Sequence, residues 1–206
     1  MNKVKKYSTA FSAGALMVNE AEAVIYRITD PEGVFRGDEK FDFSTIPVNS
    51  ESSKKRLGSE LKKRLLNLNN PAFIHEYISG TKDDKNLILF YAACRYYQII
   101  ADFMIEVVLK KWYHMDREIG TDDFKNYYYS KMDQYIELEN LSLASIKKIS
   151  SKAIQMLKEV GIIKDGKLQK KDFNPSILKR IAENGDEWFL EVLLLNKSER
   201  NEIIQK

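Results

Sequence analysis

A chain of 206 residues with 44% hydrophobic content is long enough and apolar enough to bury a core, in one domain or two small ones, so it need not be disordered. Nine Gly and four Pro are few, which disfavours a turn-rich β fold and favours long helices. The net charge of +3 argues only weakly for an acidic partner, and the single cysteine, Cys94, excludes an intrachain disulfide and fits a reducing compartment.

The elements follow in chain order. Lys3, Lys5 and Lys6 precede a stretch from Tyr7 to Asn19 that is too short and polar for a signal sequence. Ser8 or Thr9 can cap a first helix to about Thr29, ended by Asp30-Pro31. The segment to Asn49 holds Gly33, Gly37 and Pro47 and is expected to be loop, with a short extended piece around Lys40–Phe43. Ser50 to Asn69 is an amphipathic helix, with Leu57, Leu61, Leu65 and Leu68 on one narrow arc. Pro71 opens a short helix to Ser79, closed by Gly80.

Asp83 or Asp84 starts the longest expected helix, to about His114 and apolar on most sides. Arg95, Gln98, Asp102 and Glu106 are spread along it, so it suits the centre of a soluble bundle better than a membrane. Thr121 caps a helix to about Gln134, and Ser142 caps another to Val160, stopped by Gly161. Asp165-Gly166 between two short apolar pieces signals a hairpin. Asn174-Pro175 opens a helix to about Glu183, and a last apolar helix spans Glu187–Leu195. The expected fold is mainly α, a multi-helical bundle with one short β-hairpin, divided into an N-terminal part, 1–115, and a C-terminal part, 116–206.

No His, Cys, Asp and Glu cluster has metal-ligand spacing, and no Gly-rich loop joins a strand to a helix, so neither a cofactor nor an enzymatic centre is expected. Cys94 suits a packed core thiol, and His75 and His114 suit surface or capping positions near helix ends. Arg95 and Asp102, seven apart, would share a face of one continuous helix as a structural polar pair. Tyr127, Tyr128 and Tyr129 invite base stacking, but consecutive helical residues point 100° apart and cannot form one platform.

The informative feature is where the charge sits. Residues 141–171 carry eight Lys against Glu159 and Asp165, whereas residues 115–140 carry seven acids against three basic residues. Two basic ridges result. On the helix from Ser50, Lys55, Arg56, Ser59, Lys62 and Lys63 lie opposite the leucines, with Lys54 and Arg64 flanking the arc. Lys55 lies over Lys62, and Arg56 over Lys63, with a rise of about 10 Å in each pair. On the helix from Ser142, Lys147, Lys148, Ser151, Lys152, Gln155 and Lys158 point away from an inward side of Ile146, Ser150, Ala153 and Leu157, with Ile149 and Val160 beside it. Phosphate neutralisation by such faces drives binding without reading bases. Helix, turn, helix, hairpin is also the order of a winged helix-turn-helix, in which the second helix enters the major groove. Lys164, Lys167, Lys170 and Lys171 would charge the wing.

At these residues the chain resembles the BrxA family of BREX phage-defence systems. The resemblance rests on Tyr7-Ser8-Thr9-Ala10 with Gly14-Ala15-Leu16, and on Ser52-Ser53-Lys54-Lys55-Arg56-Leu57 followed by Glu60-Leu61 and Arg64-Leu65. It continues through Leu89-Phe90-Tyr91-Ala92-Ala93-Cys94-Arg95-Tyr96-Tyr97 and Leu157-Lys158-Glu159-Val160-Gly161-Ile162-Ile163. It spans roughly residues 7–195 and is carried by the order of several weak motifs. The resemblance implies a helical fold similar to the antitermination factor NusB, double-stranded DNA as partner, other BREX proteins as partners, a cytoplasmic place and no established catalytic residue. Two alternatives stand beside DNA binding: an assembly scaffold for other BREX proteins, and an RNA-binding protein of the NusB kind.

Overall fold

The computed structural model describes residues 7–205, so the expectation at Lys3, Lys5 and Lys6 lies outside the described residues. The chain is mainly helical, and it divides into two units. Leu16–Tyr96 form one, and residues up to Ala15 join Tyr97 onward in the other, a division different from the one expected at 115/116.

The first unit holds α1 (Val18–Ile25), α2 (Pro31–Arg36), α3 (Glu51–Leu66), α4 (Ala72–Ser79) and α5 (Lys82–Tyr96). The single helix expected from Ser8 to Thr29 is divided. A 3₁₀ turn spans Ala10–Ala13, Gly14 is extended, and Met17 enters α1 with φ +61°. The loop expected from Asp30 to Asn49 contains α2, because Pro31 occupies a helix start and Gly37, at φ +88°, caps the end. No strand forms at Lys40–Phe43. The start of α3 is as expected: Ser53 N–H donates to Ser50 Oγ at 3.4 Å. Leu61, Leu65 and Leu68 are fully buried and Leu57 nearly so. Each contributes about 1.5–3 kcal/mol by leaving water. That arc packs on α5, whose residues from Leu87 to Cys94 are all buried, and α1 and α4 pack on the same helix.

The second unit holds α6 (Gln98–Phe103), a π-helical turn over Met104–Val108, α7 (Leu109–Tyr113), α8 (Thr121–Met132) and α9 (Leu143–Val160). The hairpin of β1 (Ile163–Lys164) and β2 (Lys167–Leu168) follows, then α10 (Pro175–Glu183), α11 (Trp188–Val192) and α12 (Lys197–Gln205). The long helix expected from Asp83 to His114 is broken at Tyr97, with φ −106° and ψ 86°. Neither Gly nor Pro marks the break. The Tyr97 ring is fully buried against Phe11, with centroids 5.2 Å apart, so tertiary packing overrides local propensity. Among the described residues no single helix is long and apolar enough to cross a membrane; α5 and the segment Gln98–Tyr113 pass that test only when taken together.

The N-cap of α8 is Gly120 rather than Thr121, and Gly120 N–H donates to the Asp123 carboxylate at 2.8 Å. Ser142 caps α9 as expected, accepting from Ser145 N–H at 3.2 Å, and Gly161 ends it at φ +91°. Asp165 and Gly166, at φ +51° and +76°, form the tight turn of the hairpin. The last apolar helix is shorter than expected, and α12 was not anticipated. Its signal is Asn196-Lys197-Ser198-Glu199, in which Asn196 Oδ1 accepts from Glu199 N–H and Glu199 accepts from Asn196 N–H.

The N-terminal segment is tied into the second unit by a buried bond, the Tyr7 hydroxyl donating to Asp102 Oδ2 at 2.7 Å. Burial, followed by this contact, holds the phenol well above its ordinary pKa, so it stays a donor at any physiological pH. Tyr7→Phe removes one donor to a buried carboxylate and is expected to lower stability by about 1.5–3 kcal/mol. Urea unfolding measures it, and an unchanged midpoint would show that the hydroxyl contributes nothing.

Candidate nucleic-acid interface

The α3 ridge is built by exclusion. With the leucine arc against α5, Lys55, Arg56, Ser59, Lys62 and Lys63 are left exposed. Lys55, Arg56 and Lys62 make no ion pair with any described residue, while Lys63 Nζ lies 3.8 Å from the nearly buried Glu60. The two flanking residues behave differently. Lys54 has a side chain 20% exposed and pairs with Glu51 at 2.9 Å. Arg64 is 1% exposed and therefore leaves the proposed contact face. Its position explains this: Arg64 follows Leu57 by seven residues, so the helical repeat sets it over the leucine stripe.

In the other unit α9 packs against α8 on one side and against the 3₁₀ turn Ala10–Ala13 on another. Its buried side is therefore wider than expected and includes Ile154 and Met156 besides Ile146, Ile149, Ser150, Ala153, Leu157 and Val160. What remains in solvent is a strip carrying Lys147, Lys148, Ser151 and Lys158. Lys152 and Gln155 are half-buried and engaged along the helix, with Lys152 Nζ donating to Gln155 Oε1 at 2.8 Å and Gln155 Nε2 to Glu159 Oε1 at 2.6 Å. Lys147 and Lys148 have no acidic partner among the described residues.

The surroundings of α9 have the order of a winged helix-turn-helix, with one addition that the sequence did not reveal. Arg117–Ile119 runs beside the hairpin: Leu168 N–H donates to Arg117 O at 2.7 Å, Ile119 N–H donates to Gly166 O at 3.2 Å, and Glu118 bridges Lys167 antiparallel. A short extended piece before α8 thus joins β2, and the hairpin is braced against the helix pair. Lys164 and Lys167 are exposed on it. Lys170 instead pairs with Glu199, and Lys171 Nζ donates to Val160 O, so these two are engaged internally.

A groove of about 480 Å³ lies between α8 and α9 and adds residues outside the expected ridge to Lys147 and Ser151 within it. Lys125 and Tyr129, one turn apart on α8, line it with Leu143, Lys147 and Ser151 of α9, and Asp122 is also in the lining. Of the three consecutive tyrosines, Tyr127 and Tyr128 are buried and Tyr129 is 37% exposed. The i,i+4 spacing of Lys125 and Tyr129 was the available signal.

Cys94 is fully buried, which pushes its thiol pKa well up. His75 Nε2 lies 3.3 Å from Glu32, and His114 Nδ1 lies 2.7 Å from Lys110 O on the surface. Arg95 donates to Leu68 O at 3.3 Å and to the Tyr91 hydroxyl at 3.1 Å, whereas Asp102 accepts from Tyr7 and Gln98; the break at Tyr97 removes the shared face that their spacing implied. Among the described residues no three His, Cys, Asp or Glu side chains could hold a metal ion.

The contrast on α3 can be measured. Arg64→Ala strips a buried side chain and its partners' bonds, and is expected to lower unfolding free energy by more than about 2 kcal/mol. Lys62→Ala, on the same helix, should stay within about 0.5 kcal/mol of the parent. Equal effects in urea titrations would contradict the assignment of Arg64 to the core.

Comparison with known proteins agrees with this architecture. The BrxA family model matches residues 5–185. The chain is 23% identical over 199 residues to the BREX protein BrxA of Bacillus cereus (strain H3081.97), covering 94% of this chain and 99% of that one. It also shares the fold of an uncharacterized protein from Magnetospirillum magneticum solved by crystallography, with TM-score 0.72, 17% identity, and coverage of 92% of this chain and 98% of the other. A model match over most of the chain shows the family: this protein belongs to the BrxA family of BREX phage-defence systems.

Proposed function

We propose that this protein is a non-enzymatic, double-stranded DNA-binding component of a BREX system, gripping the duplex mainly through its phosphates, with other BREX proteins as partners. The observation that carries the reading is the set of uncommitted cations. Lys55, Arg56 and Lys62 on α3, and Lys147 and Lys148 on α9, are exposed and free of acidic partners among the described residues. A merely solvated helix face usually interleaves Glu with Lys for i,i+4 support. The position of α9 supports the same reading, since it is the second helix of a pair followed by a braced hairpin, the helix that enters the major groove in winged helix-turn-helix proteins. Its Lys and Ser side chains suit phosphate contact, with Ser able to reach a base edge.

The experiment is a binding titration over a range of salt. Each phosphate contact adds about 0.9 to the slope of log affinity against log salt. The pair Lys55→Glu and Lys62→Glu is expected to lower that slope by about 2 and to weaken binding of all duplex sequences alike. The pair Lys147→Glu and Lys148→Glu should do the same, and should also flatten any base preference. The leucine arc is untouched in the first pair, so circular dichroism should be unchanged. If both pairs bind duplex DNA like the parent but lose a BREX protein in pull-down, the ridges face protein and the scaffold reading replaces this one. Tighter binding of RNA than of duplex DNA would favour the RNA reading.

A further inference from the structure

The groove between α8 and α9 has a mixed lining that a phosphate grip does not need. Its two walls each supply one lysine, Lys125 and Lys147, and neither has an acidic partner among the described residues. Beside them stand a partly exposed aromatic ring, Tyr129, and an aliphatic side chain, Leu143, 75% exposed at the first position of α9. Large apolar side chains on a protein surface are unremarkable singly, but here two converge on one concavity with two free cations.

Asp122 narrows the choice of ligand. A carboxylate in the lining opposes a lone phosphate ion, yet it accepts hydrogen bonds from an exocyclic amine such as those of adenine and cytosine. Cations for a phosphate, an aromatic face for a base and an acceptor for an amine together describe a nucleotide whose base is unstacked. A volume of about 480 Å³ is within the range that holds small ligands. A paired base inside a duplex cannot present its face to Tyr129.

We propose that this groove holds one unpaired nucleotide of a DNA strand, its phosphate between Lys125 and Lys147 and its base against Tyr129 and Leu143. Asp122 accepts from the exocyclic amine of that base. The proposal rests on the reading of α9 as a DNA-contacting helix and adds a site for a strand end or extruded base beside the duplex grip. It gives the protein a preference for duplexes that carry an unpaired nucleotide.

The test uses three DNA probes with the full-length protein: a blunt duplex, the same duplex with a 2-aminopurine overhang, and a short single strand containing 2-aminopurine. Base–aromatic stacking implies that the parent binds the overhang duplex about tenfold more tightly than the blunt one. It should also quench 2-aminopurine fluorescence in both unpaired probes. Tyr129→Ala should abolish the quenching and equalise the two duplexes, and Tyr129→Phe should retain both effects because the ring remains. Lys125→Ala should weaken the unpaired probes and leave the blunt duplex unchanged. Equal binding of blunt and overhang duplexes by the parent, or quenching that survives Tyr129→Ala, would overturn the proposal. So would free deoxyadenosine monophosphate binding as tightly as the single strand, since the ligand would then be a free nucleotide. A parent that ignores the blunt duplex but quenches the single strand in a Tyr129-dependent way would refute the duplex grip and support the groove.

Discussion

The placement of α9 is the constraint on which the second unit depends. Its apolar arc is gripped by α8 and by the 3₁₀ turn after Tyr7, and six of its buried residues, Ile146, Ile149, Ala153, Met156, Leu157 and Val160, are at most 3% exposed. A helix held from two sides cannot rotate without pulling apolar surface into water, at about 25 cal/mol per Å². The strip left in solvent is therefore fixed, and its lysines leave the helix on one side. The same clamp positions the hairpin, because Ile162 N–H donates to Leu157 O at the end of α9 and the pairing with Arg117–Ile119 braces it from the side.

The charges separate by what they touch. Lys85 with Glu22, Lys111 with Asp116 and Asp123, Lys131 with Glu106, and Lys170 with Glu199 are bound within the molecule. Lys55, Arg56 and Lys62, and Lys125, Lys147 and Lys148, are not so engaged among the described residues. A nearly neutral protein can thus present local positive potential, because acids outnumber basic residues seven to three at 115–140 while lysines outnumber acids eight to two at 141–171. Both groups with free cations lie on helices whose other side is committed to a core, so the fold gives each cation strip a rigid backing.

Local chemistry made much of this legible. The caps Ser50 and Ser142, the stop at Gly161, the Asp165-Gly166 turn and the Asn174-Pro175 start each announce themselves within a few residues, and the leucine arc of α3 fixes which lysines face outward. Features that depend on distant contacts were not legible. The break at Tyr97 comes from Phe11, more than eighty residues away in the chain, and the extended piece at Arg117–Ile119 exists only because β2 lies beside it. Arg64 misled because its charge outweighed its position over Leu57. That Tyr127, Tyr128 and Tyr129 cannot share one face is legible, but only the packing of α8 shows which of the three rings is left in solvent.

The most direct test of the central claim is lysine acetylation footprinting with and without a saturating blunt duplex, read residue by residue by mass spectrometry. Lys55, Lys62, Lys147 and Lys148 should lose reactivity when DNA is present, while Lys82 and Lys197, which are also exposed, should not change. Protection confined to Lys82 or Lys197, or no protection on either ridge at saturation, would contradict the account.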